Sequence, residues 1–350
     1  MKTYTRADFF LDLSQTAVPD ENRIRQVSET WTLQGRTGLL TTLHARLTGW
    51  IDRDSWNVKD RAFFLFASDS GLMDEGGLSS TGDRSTAREV LSLSRGNHPV
   101  NILARLTDSR LVTVNMGSRG LDSLGQVIQL PVMEGGSLNP VEEDAMTEEA
   151  MMTAIRAGME LASQAADQGL TLLAADGMSE SGRLIATAVL SVYFDRAPED
   201  LMERDPDLPD QLFDRRAYVL SSAIARRAPN PYNTLDVLRQ LGNLELASMT
   251  GFFAGAALYG LPVLLGGRVS LTAALTLVRL IPESRPLFFA THQAGDPGSE
   301  LALRELGLTP VIDDRAPFSG RASALSLLPL LDLTCALYHE LEDGLEKDSF

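Results

Sequence analysis

The chain has 350 residues, of which 47 are acidic and 31 are basic, giving a net charge of −16. This balance argues against a general nucleic-acid-binding protein and against a protein that binds an anionic membrane, because both need a basic surface. A single cysteine, Cys335, excludes an intrachain disulfide and argues against a cysteine-based metal site. The charged N-terminal segment and the lack of a long uninterrupted apolar run predict a cytoplasmic protein.

The two ends of the chain have helical patterns. Residues 32–50 predict a turn followed by a helix, and residues 321–346 predict one long helix. We expect residues 1–50 and 321–350 to pack together as a small helical domain. The larger domain then comprises residues 51–320.

Between these ends, short apolar runs alternate with helical patterns. Each run is as long as a strand buried on both faces and is followed by Gly, Ser or Asp. The runs are 62–68, 110–118, 171–177, 261–267, 286–292 and 308–314, and the helices are 147–168, 182–194, 215–227, 244–260 and 270–280. The alternation predicts an α/β fold, with helices on both faces of a parallel sheet. Ligands of such sheets bind at the carboxyl ends of the strands.

Two stretches between these elements are predicted loops. Residues 75–86 are rich in Gly and Ser, and residues 195–211 are acidic and rich in proline. The histidines lack metal-ligand spacing, and no glycine-rich phosphate motif is present. The sequence therefore predicts neither a metal nor an organic cofactor.

The segment 315–332 changes from small and basic residues to an apolar helix. A helix start is suited to bind an anion, because its N–H groups and its dipole favour negative charge. Ser319, Gly320 and Arg321 lie at this start, and no acidic residue occurs between Asp314 and Asp332. The alternative interpretation is that Arg315 and Arg321 are solvated.

Several stretches occur in the order typical of one enzyme family. In the C-terminal half they are LRQLGNLELA, GLPVLLGGRVSLTAAL and THQAGDPGSELALRELGLTPVID. In the N-terminal half, QGRTGLLTTLHARL, LFASDSGLMDEGG and NHPVNILAR match more loosely. Over roughly residues 33–345, the chain resembles the nicotinate-nucleotide:dimethylbenzimidazole phosphoribosyltransferases, which activate the lower ligand of cobamides.

The resemblance implies an activity and an assembly. Family members transfer phosphoribose from nicotinate mononucleotide to an aromatic base, with no metal or organic cofactor. They combine a parallel α/β domain with a small helical domain, and they form dimers in which both subunits border the pocket. We therefore expect nicotinate mononucleotide and an aromatic base or phenol as ligands, and a dimer as the assembly.

The family's two catalytic glutamates are absent at the matching positions. The glutamate that acts as general base, a role worth about 10²–10⁴ in rate, falls on Gly320, and the second falls on Gly177. Weak substitutes are Asp176, Asp313 and Asp314. Further changes place Gly266 and Ser299 where the family has Asp and His. Substrate or phosphate binding is implied for Ser79, Ser179, Ser181, Gly182, Arg216, His292, Gly298, Ser319 and Arg321, and a place beside the pocket for Asp69, Glu245 and Gly266.

Three hypotheses follow from this pattern. In the first, the chain is a catalytically impaired subunit paired with a paralogue that retains the glutamates, as in two-subunit relatives that activate phenol or cresol. The second is an active phosphoribosyltransferase with a substitute carboxylate. In the third, the chain binds a nucleotide or base for regulation without turnover.

Overall fold

A six-stranded parallel sheet forms the centre of the fold. The computed structural model describes residues 3–51, 58–79, 86–121, 126–205, 207, 209–293, 295–312 and 320–348. The strands are β1 (Arg61–Ser68), β2 (Arg110–Gly117), β3 (Val127–Gln129), β4 (Leu172–Gly177), β5 (Val263–Leu265) and β6 (Phe288–Ala290). Each neighbouring pair is parallel. The predicted α/β class is therefore confirmed.

The strand order is β3-β2-β1-β4-β5-β6. The first strand lies in the middle of the sheet; the chain extends the sheet in one direction to β3, and then returns to extend it in the other direction. The reversal lies between β1 and β4. In open sheets of this kind a crevice forms outside the carboxyl ends of the strands at the reversal.

Helices cover the sheet and occupy both ends of the chain. They are α1 (Arg6–Leu13), α2 (Glu21–Leu33), α3 (Leu39–Thr48), α4 (Thr86–Ser94), α5 (Pro99–Leu106), α6 (Glu148–Asp167), α7 (Gly182–Phe194), α8 (Pro198–Leu201), α9 (Asp210–Arg227), α10 (Thr234–Leu241), α11 (Leu244–Tyr259), α12 (Arg268–Leu280), α13 (Pro297–Leu306), α14 (Gly320–Ser326) and α15 (Leu328–Asp348). Short 3₁₀ turns occur at Gly71–Glu75 and Pro282–Leu287.

Burial explains why the central elements form where they do. All eight residues of β1 are buried, as expected for a strand covered on both faces. Helix α6 begins where Thr147 accepts a hydrogen bond from the N–H of Ala150 at 3.1 Å, which satisfies one of the free donors of the first turn. Helix α11 is buried from Leu244 to Ala257, so it crosses the interior of the molecule.

Helices α6 and α11 pack closely through glycines. A Cβ added at Gly158 would lie 1.9 Å from the carbonyl oxygen of Ser248, and one at Gly251 would lie 1.9 Å from that of Ile155. Only glycine permits this approach of the two backbones. The contact fixes α11 across the sheet and so sets the position of its first turn, at the carboxyl edge.

The terminal helices form part of a second layer. Val27, Trp31, Ala45 and Tyr338, from α2, α3 and α15, make a small cluster of their own. Phe9 and Leu13 of α1 instead belong to the main core. The division into a domain of 1–50 with 321–350 and a domain of 51–320 stays a prediction.

Four details of the sequence prediction are corrected. The run 308–314 is not a strand in its described part, since Ile312 makes only an isolated bridge with His292. Strand β3 was not predicted, because three residues give too short a pattern. The helix expected at 321–346 is interrupted at Leu327 and forms α14 and α15. The loop predicted at 195–211 contains the short helix α8.

The C-terminal helical segment also qualifies the expectation about membranes. By length and composition, Ser323–Glu342 could cross a bilayer, and 44% of its most apolar window is buried inside the protein. A core helix of a globular protein passes the same test. Residues of this segment, including Leu331, pack in the hydrophobic cluster beneath the sheet.

Candidate active site

The residues that end β1 and β4 meet the first turn of α11 at the sheet reversal. The backbone N–H of Glu245 donates to Ser68 Oγ at 3.2 Å, which joins α11 to the end of β1. Asp69 follows directly, and its Oδ2 accepts from the N–H of Arg119 at 2.7 Å. These contacts hold the floor of the crevice through backbone N–H groups rather than through flexible side chains alone.

Glu245 is a fully buried acid that holds the turn after β4. One oxygen, Oε2, accepts from the N–H groups of Met178 at 3.2 Å and Ser179 at 2.9 Å. The other, Oε1, accepts from Ser179 Oγ at 2.9 Å. Hydrogen bonds in a buried environment are stronger than they are in water. Through these hydrogen bonds, Glu245 therefore stabilises the conformation of the turn after β4.

This arrangement leaves no room for side chains at two neighbouring positions. A Cβ added at Gly177 or at Gly182 would lie 2.4 Å from Glu245 Oε1 in each case. Real Cβ atoms do not approach an oxygen so closely. A side chain at position 177 would therefore require either the Glu245 carboxylate or the turn to move.

Asp176, the substitute closest to Gly177, is also held within the fold. It is 3% exposed, and its Oδ1 accepts from the N–H of Gly177 at 2.8 Å. Its Oδ2 occupies the space that a Cβ at Gly267 would take, 2.4 Å away. Gly266 immediately precedes this contact, directly after β5.

A buried ion pair lies beside the crevice at the starts of α12 and α13. Arg268 contacts Asp296 at 2.6 Å and also donates to Thr187 Oγ1 at 2.6 Å. Asp296 accepts from the N–H and the hydroxyl of Ser299, each at 2.8 Å. Burial lowers the pKa of Arg268, and the charge of Asp296 opposes that effect.

His292 and Gly298 flank this pair. The ring of His292, after β6, contacts Thr291 Oγ1 at 3.1 Å. Gly298 lies in the first turn of α13, and a Cβ there would lie 3.1 Å from the carbonyl oxygen of Leu201. His292 thus follows β6 at the carboxyl edge, whereas Gly298 packs against α8.

Two arginines of α9 hold the loop that follows β1. Arg215 donates to the carbonyl oxygens of Glu75 and Gly76, at 2.5 and 3.3 Å. Arg216 donates to the carbonyl oxygen of Leu78 at 2.9 Å. Burial is the largest cause of a lowered pKa for Arg216, and the nearby Arg183 adds to it.

Ser79, the next residue after Leu78, lines an open cleft of about 710 Å³. The opposite wall is the start of α9, with Leu212 and Arg215. The cleft is widely open to solvent and has both apolar and polar walls.

The predicted site residues therefore fall into three groups. The carboxyl edge brings together Asp69, Asp176, Gly177, Ser179, Ser181, Gly182, Glu245, Gly266 and His292, and the α9 side adds Ser79 and Arg216. Gly320 is the first residue of α14, but its surroundings and the side chain of Arg321 are not described. Asp313, Asp314 and Ser319 lie outside the described residues.

Sequence analysis missed one acid in the turn after β4. Glu180 lies between Ser179 and Ser181, and its Oε1 is shielded from water without a hydrogen bond from the described residues. The stretch GMSESGR at 177–183 does not have the Gly-x-Ser-x-Gly spacing of a nucleophile elbow, so no motif pointed to this turn. The signal that could have found Glu180 is its place on the turn itself, directly after a buried strand.

Comparison with known proteins identifies the family to which this geometry belongs. A family model described as phosphoribosyltransferase (DBI_PRT) matches residues 19–346. The chain belongs to this phosphoribosyltransferase family. The match covers the whole sheet and most of both terminal helical segments, so the fold and the family agree over nearly the full chain.

Individual relatives give the same result. The chain is 30% identical over 305 residues to the nicotinate-nucleotide–dimethylbenzimidazole phosphoribosyltransferase of Chromobacterium violaceum, covering 87% of this chain and 88% of the relative. It is 26% identical over 307 residues to that of Geobacter sp. strain M21, covering 88% of each. The crystal structure of the Thermus thermophilus enzyme has a TM-score of 0.76 and 26% identity, with 95% of this chain and 94% of that chain covered.

Proposed function

We propose that the chain takes part in the transfer of phosphoribose from nicotinate mononucleotide to an aromatic base or phenol, in the activation of a cobamide lower ligand. In this proposal it is a subunit with little turnover alone, and it is paired with a paralogue that retains the family glutamates. The names of the relatives and the similarity of the whole fold support the reaction class. The chemistry of the turn after β4 supports the impairment.

One observation carries the impairment: Glu245 fills the space beside Gly177. Because a Cβ at position 177 would meet Glu245 Oε1 at 2.4 Å, the turn is built around a glycine there. Asp176 accepts from its own neighbouring N–H and is 3% exposed, so it is poorly placed to reach an acceptor. Without a base, transfer is expected to be slower by about 10²–10⁴.

The groups that remain are suited to bind rather than to transfer a proton. The N-terminus of α7 and the cations Arg183 and Arg216 provide positive charge beside the turn. Ser179 and Ser181 lie buried at the same place. A subunit of this kind can hold a nucleotide or shape the pocket of a partner, which is the role we assign to it.

The experiment measures turnover of the purified chain with and without its paralogue. The substrates are nicotinate mononucleotide with either phenol or dimethylbenzimidazole, and the readout is release of nicotinate and formation of the α-ribotide. We expect little product from the chain alone and at least about 10²-fold more from the complex. Size-exclusion chromatography of the mixture should show the hetero-oligomer.

Two other results would contradict the proposal in different ways. Full turnover by the chain alone would indicate an active enzyme with a substitute base. Nucleotide binding without product under either condition would indicate a regulatory binding protein.

A Gly320→Glu variant, with Gly320→Gln as its control, should stay well below full activity alone, because the turn after β4 also differs from the family pattern.

A further inference from the structure

One buried arginine joins the helices that follow three neighbouring strands. Arg268 is the first residue of α12, after β5, and its Nε donates at 2.9 Å to Asp296, the N-cap of α13, after β6. Its Nη1 donates at 2.6 Å to Oγ1 of Thr187 in α7, after β4. Because β4, β5 and β6 are parallel, all three helices begin at the carboxyl edge of the sheet. A single side chain therefore links them on that side of the molecule.

The geometry of this ion pair is not the one that contributes most to stability. The Nε and Nη2 atoms of Arg268 both approach the same oxygen, Oδ1 of Asp296, at 2.9 and 2.6 Å. The other oxygen, Oδ2, accepts from the hydroxyl of Ser299 at 2.8 Å. A buried ion pair offsets its loss of hydration only when its geometry is excellent, and apolar replacements are often equally stable. Stability alone therefore does not account for the pair.

Other contacts already hold α12 and α13 together. Both helices contribute buried apolar side chains to the main core, and they pack against each other. A second ion pair, Arg279 with Glu305 at 2.7 Å, joins their last turns, and its side chains are 22% and 35% exposed. The side chains of Arg268 and Asp296 are only 5% and 6% exposed. The desolvated pair is thus the one at the carboxyl edge, where it fixes how the two helices begin.

The connections that this pair holds adjoin the candidate site. Gly267, directly before Arg268, lies against Asp176 at the end of β4, since a Cβ there would be 2.4 Å from Oδ2. His292, which follows β6, is four residues before Asp296 and is 8% exposed. A shift in the start of α12 or α13 would therefore displace residues along the edge where ligands of parallel sheets bind.

We propose that Arg268 is a positioning residue for the donor nucleotide. Through Asp296 and Thr187 it keeps the connections after β4, β5 and β6 in the arrangement that binds nicotinate mononucleotide, and it does not touch the ligand itself. This role rests on the proposed function. A planar guanidinium suits it, because its N–H donors have fixed directions, whereas the ammonium group of a lysine is a point charge without that fork.

The decisive variant is Arg268→Met combined with Asp296→Asn. It removes both charges and keeps a side chain that caps a helix well. Arg268→Met alone is unsuitable, because it would leave the buried charge of Asp296 without its partner. The measurements are the urea midpoint, calorimetric binding of nicotinate mononucleotide to the chain alone and with its paralogue, and nicotinate release by the complex. NMR of the ring of His292, one of four histidines, reports the position of the connection after β6.

The double variant should remain folded and lose function. We expect a urea midpoint close to that of the wild type and shifted ring signals of His292. Because small displacements in a binding site are costly, binding should weaken by roughly tenfold or more, and nicotinate release should fall by about 10²-fold. Arg268→Lys keeps the charge beside Asp296 but not the fork, so its binding should lie between those of the wild type and the double variant.

The matched control is Arg279→Met combined with Glu305→Gln. It removes the other ion pair between the same two helices, at the ends away from the carboxyl edge. This control should keep the affinity for nicotinate mononucleotide and the ring signals of His292. A loss of affinity equal to that of the decisive variant would show that any ion pair between α12 and α13 has the same effect, and would overturn the proposal.

The remaining failures are distinguishable. If the double variant binds the nucleotide as the wild type does, with unchanged signals of His292, the positioning role is wrong while the proposed function stands. If its urea midpoint falls markedly, the pair stabilises the fold instead of positioning the connections, and the proposal is again overturned. If the wild-type chain binds no nucleotide with or without its paralogue, the proposed function itself is overturned, and the role of Arg268 with it.

Discussion

Buried polar groups at the two ends of the sheet differ in whether they have hydrogen-bond partners within the protein. At the amino end, Arg61 is 3% exposed, and its guanidinium reaches the carbonyl oxygen of Thr107 at 3.0 Å and Asp332 at 2.7 Å. At the carboxyl end, Glu180 Oε1, Ser137 Oγ and Asn243 Nδ2 are buried without a hydrogen bond in the described part of the chain. Arg61 thus has hydrogen-bond and ion-pair partners inside the protein, whereas these three atoms at the carboxyl end have none among the described residues.

Buried polar groups with partners inside the protein stabilise the fold, whereas buried polar groups without such partners are candidates for binding a ligand. Native proteins satisfy nearly all buried polar atoms, because an unsatisfied one costs stability. Open groups gathered at the edge where parallel sheets bind ligands therefore indicate a binding site. Glu245 differs from these open groups. It lies at the carboxyl edge, but both of its carboxylate oxygens accept hydrogen bonds from the protein.

The largest expected effect follows from removing Glu245. In Glu245→Ala, the N–H groups of Met178 and Ser179 lose their acceptor and a cavity forms. We expect a loss of about 3–5 kcal/mol in the free energy of unfolding, measured with urea. Glu143→Ala, at an exposed position, is the control and should change stability little. Equal free energies of unfolding for the two variants would show that Glu245 does not stabilise the turn.

A pH-dependent effect of nearly this size is expected far from the site, in the layer of α2, α3 and α15. His44 is 3% exposed, and its Nδ1 accepts from Trp31 Nε1 at 3.2 Å. Burial, with a smaller contribution from His339, lowers the pKa of His44 from 6.5 to about 4. The folded state thus holds the neutral ring, whereas the unfolded chain takes up the proton near pH 6.5.

The direction of the pH dependence of stability follows from this difference in pKa between the folded and unfolded states. Because the folded-state pKa is the lower one, the contribution of His44 is complete above about pH 6.5 and is lost as the pH falls towards 4. Its upper limit is about 3 kcal/mol. Urea unfolding between about pH 7 and 4 should show this loss in the wild type and a smaller loss in His44→Phe. His339→Gln, at an exposed position, should retain most of it. A His44→Phe variant with the wild-type slope would contradict the assignment.

The sequence predicted the parts of the fold that depend on local pattern. Strand β1 and helices α6 and α7 were predicted within one or two residues, because their apolar periodicity and end signals are strong. Strand β3 was missed, and 308–314 was taken for a strand, because pairing at a sheet edge is set by tertiary contacts.

The candidate site was predicted as a set of positions but not as a set of contacts. The resemblance placed Gly177, Gly182 and Glu245 near one pocket, yet no pattern shows that one carboxylate occupies the space of two missing Cβ atoms. That fact depends on how α11, fixed by its glycine contacts with α6, meets the turn after β4. Glu180 was missed for the same reason, because the spacing of residues along the sequence does not show whether a single side-chain oxygen is buried.

The smallest of these effects tests whether the absence of the second family glutamate is built into the turn. In Gly177→Ala, the new Cβ would lie 2.4 Å from Glu245 Oε1, so either the turn or the carboxylate must move. Such crowding of a packed interior lowers the free energy of unfolding by about 1–3 kcal/mol. Gly295→Ala, where a Cβ would meet nothing within 4 Å, is the matched control.

The double variant Gly177→Ala with Glu245→Gln decides how that loss arises. If the methyl group competes with the charged oxygen for one space, the two changes will not be additive, since residues in contact couple. Urea unfolding of both single variants and the double variant measures this coupling. A Gly177→Ala variant as stable as Gly295→Ala would show that the turn can accept a side chain. Crowding by Glu245 would then no longer explain why position 177 is a glycine.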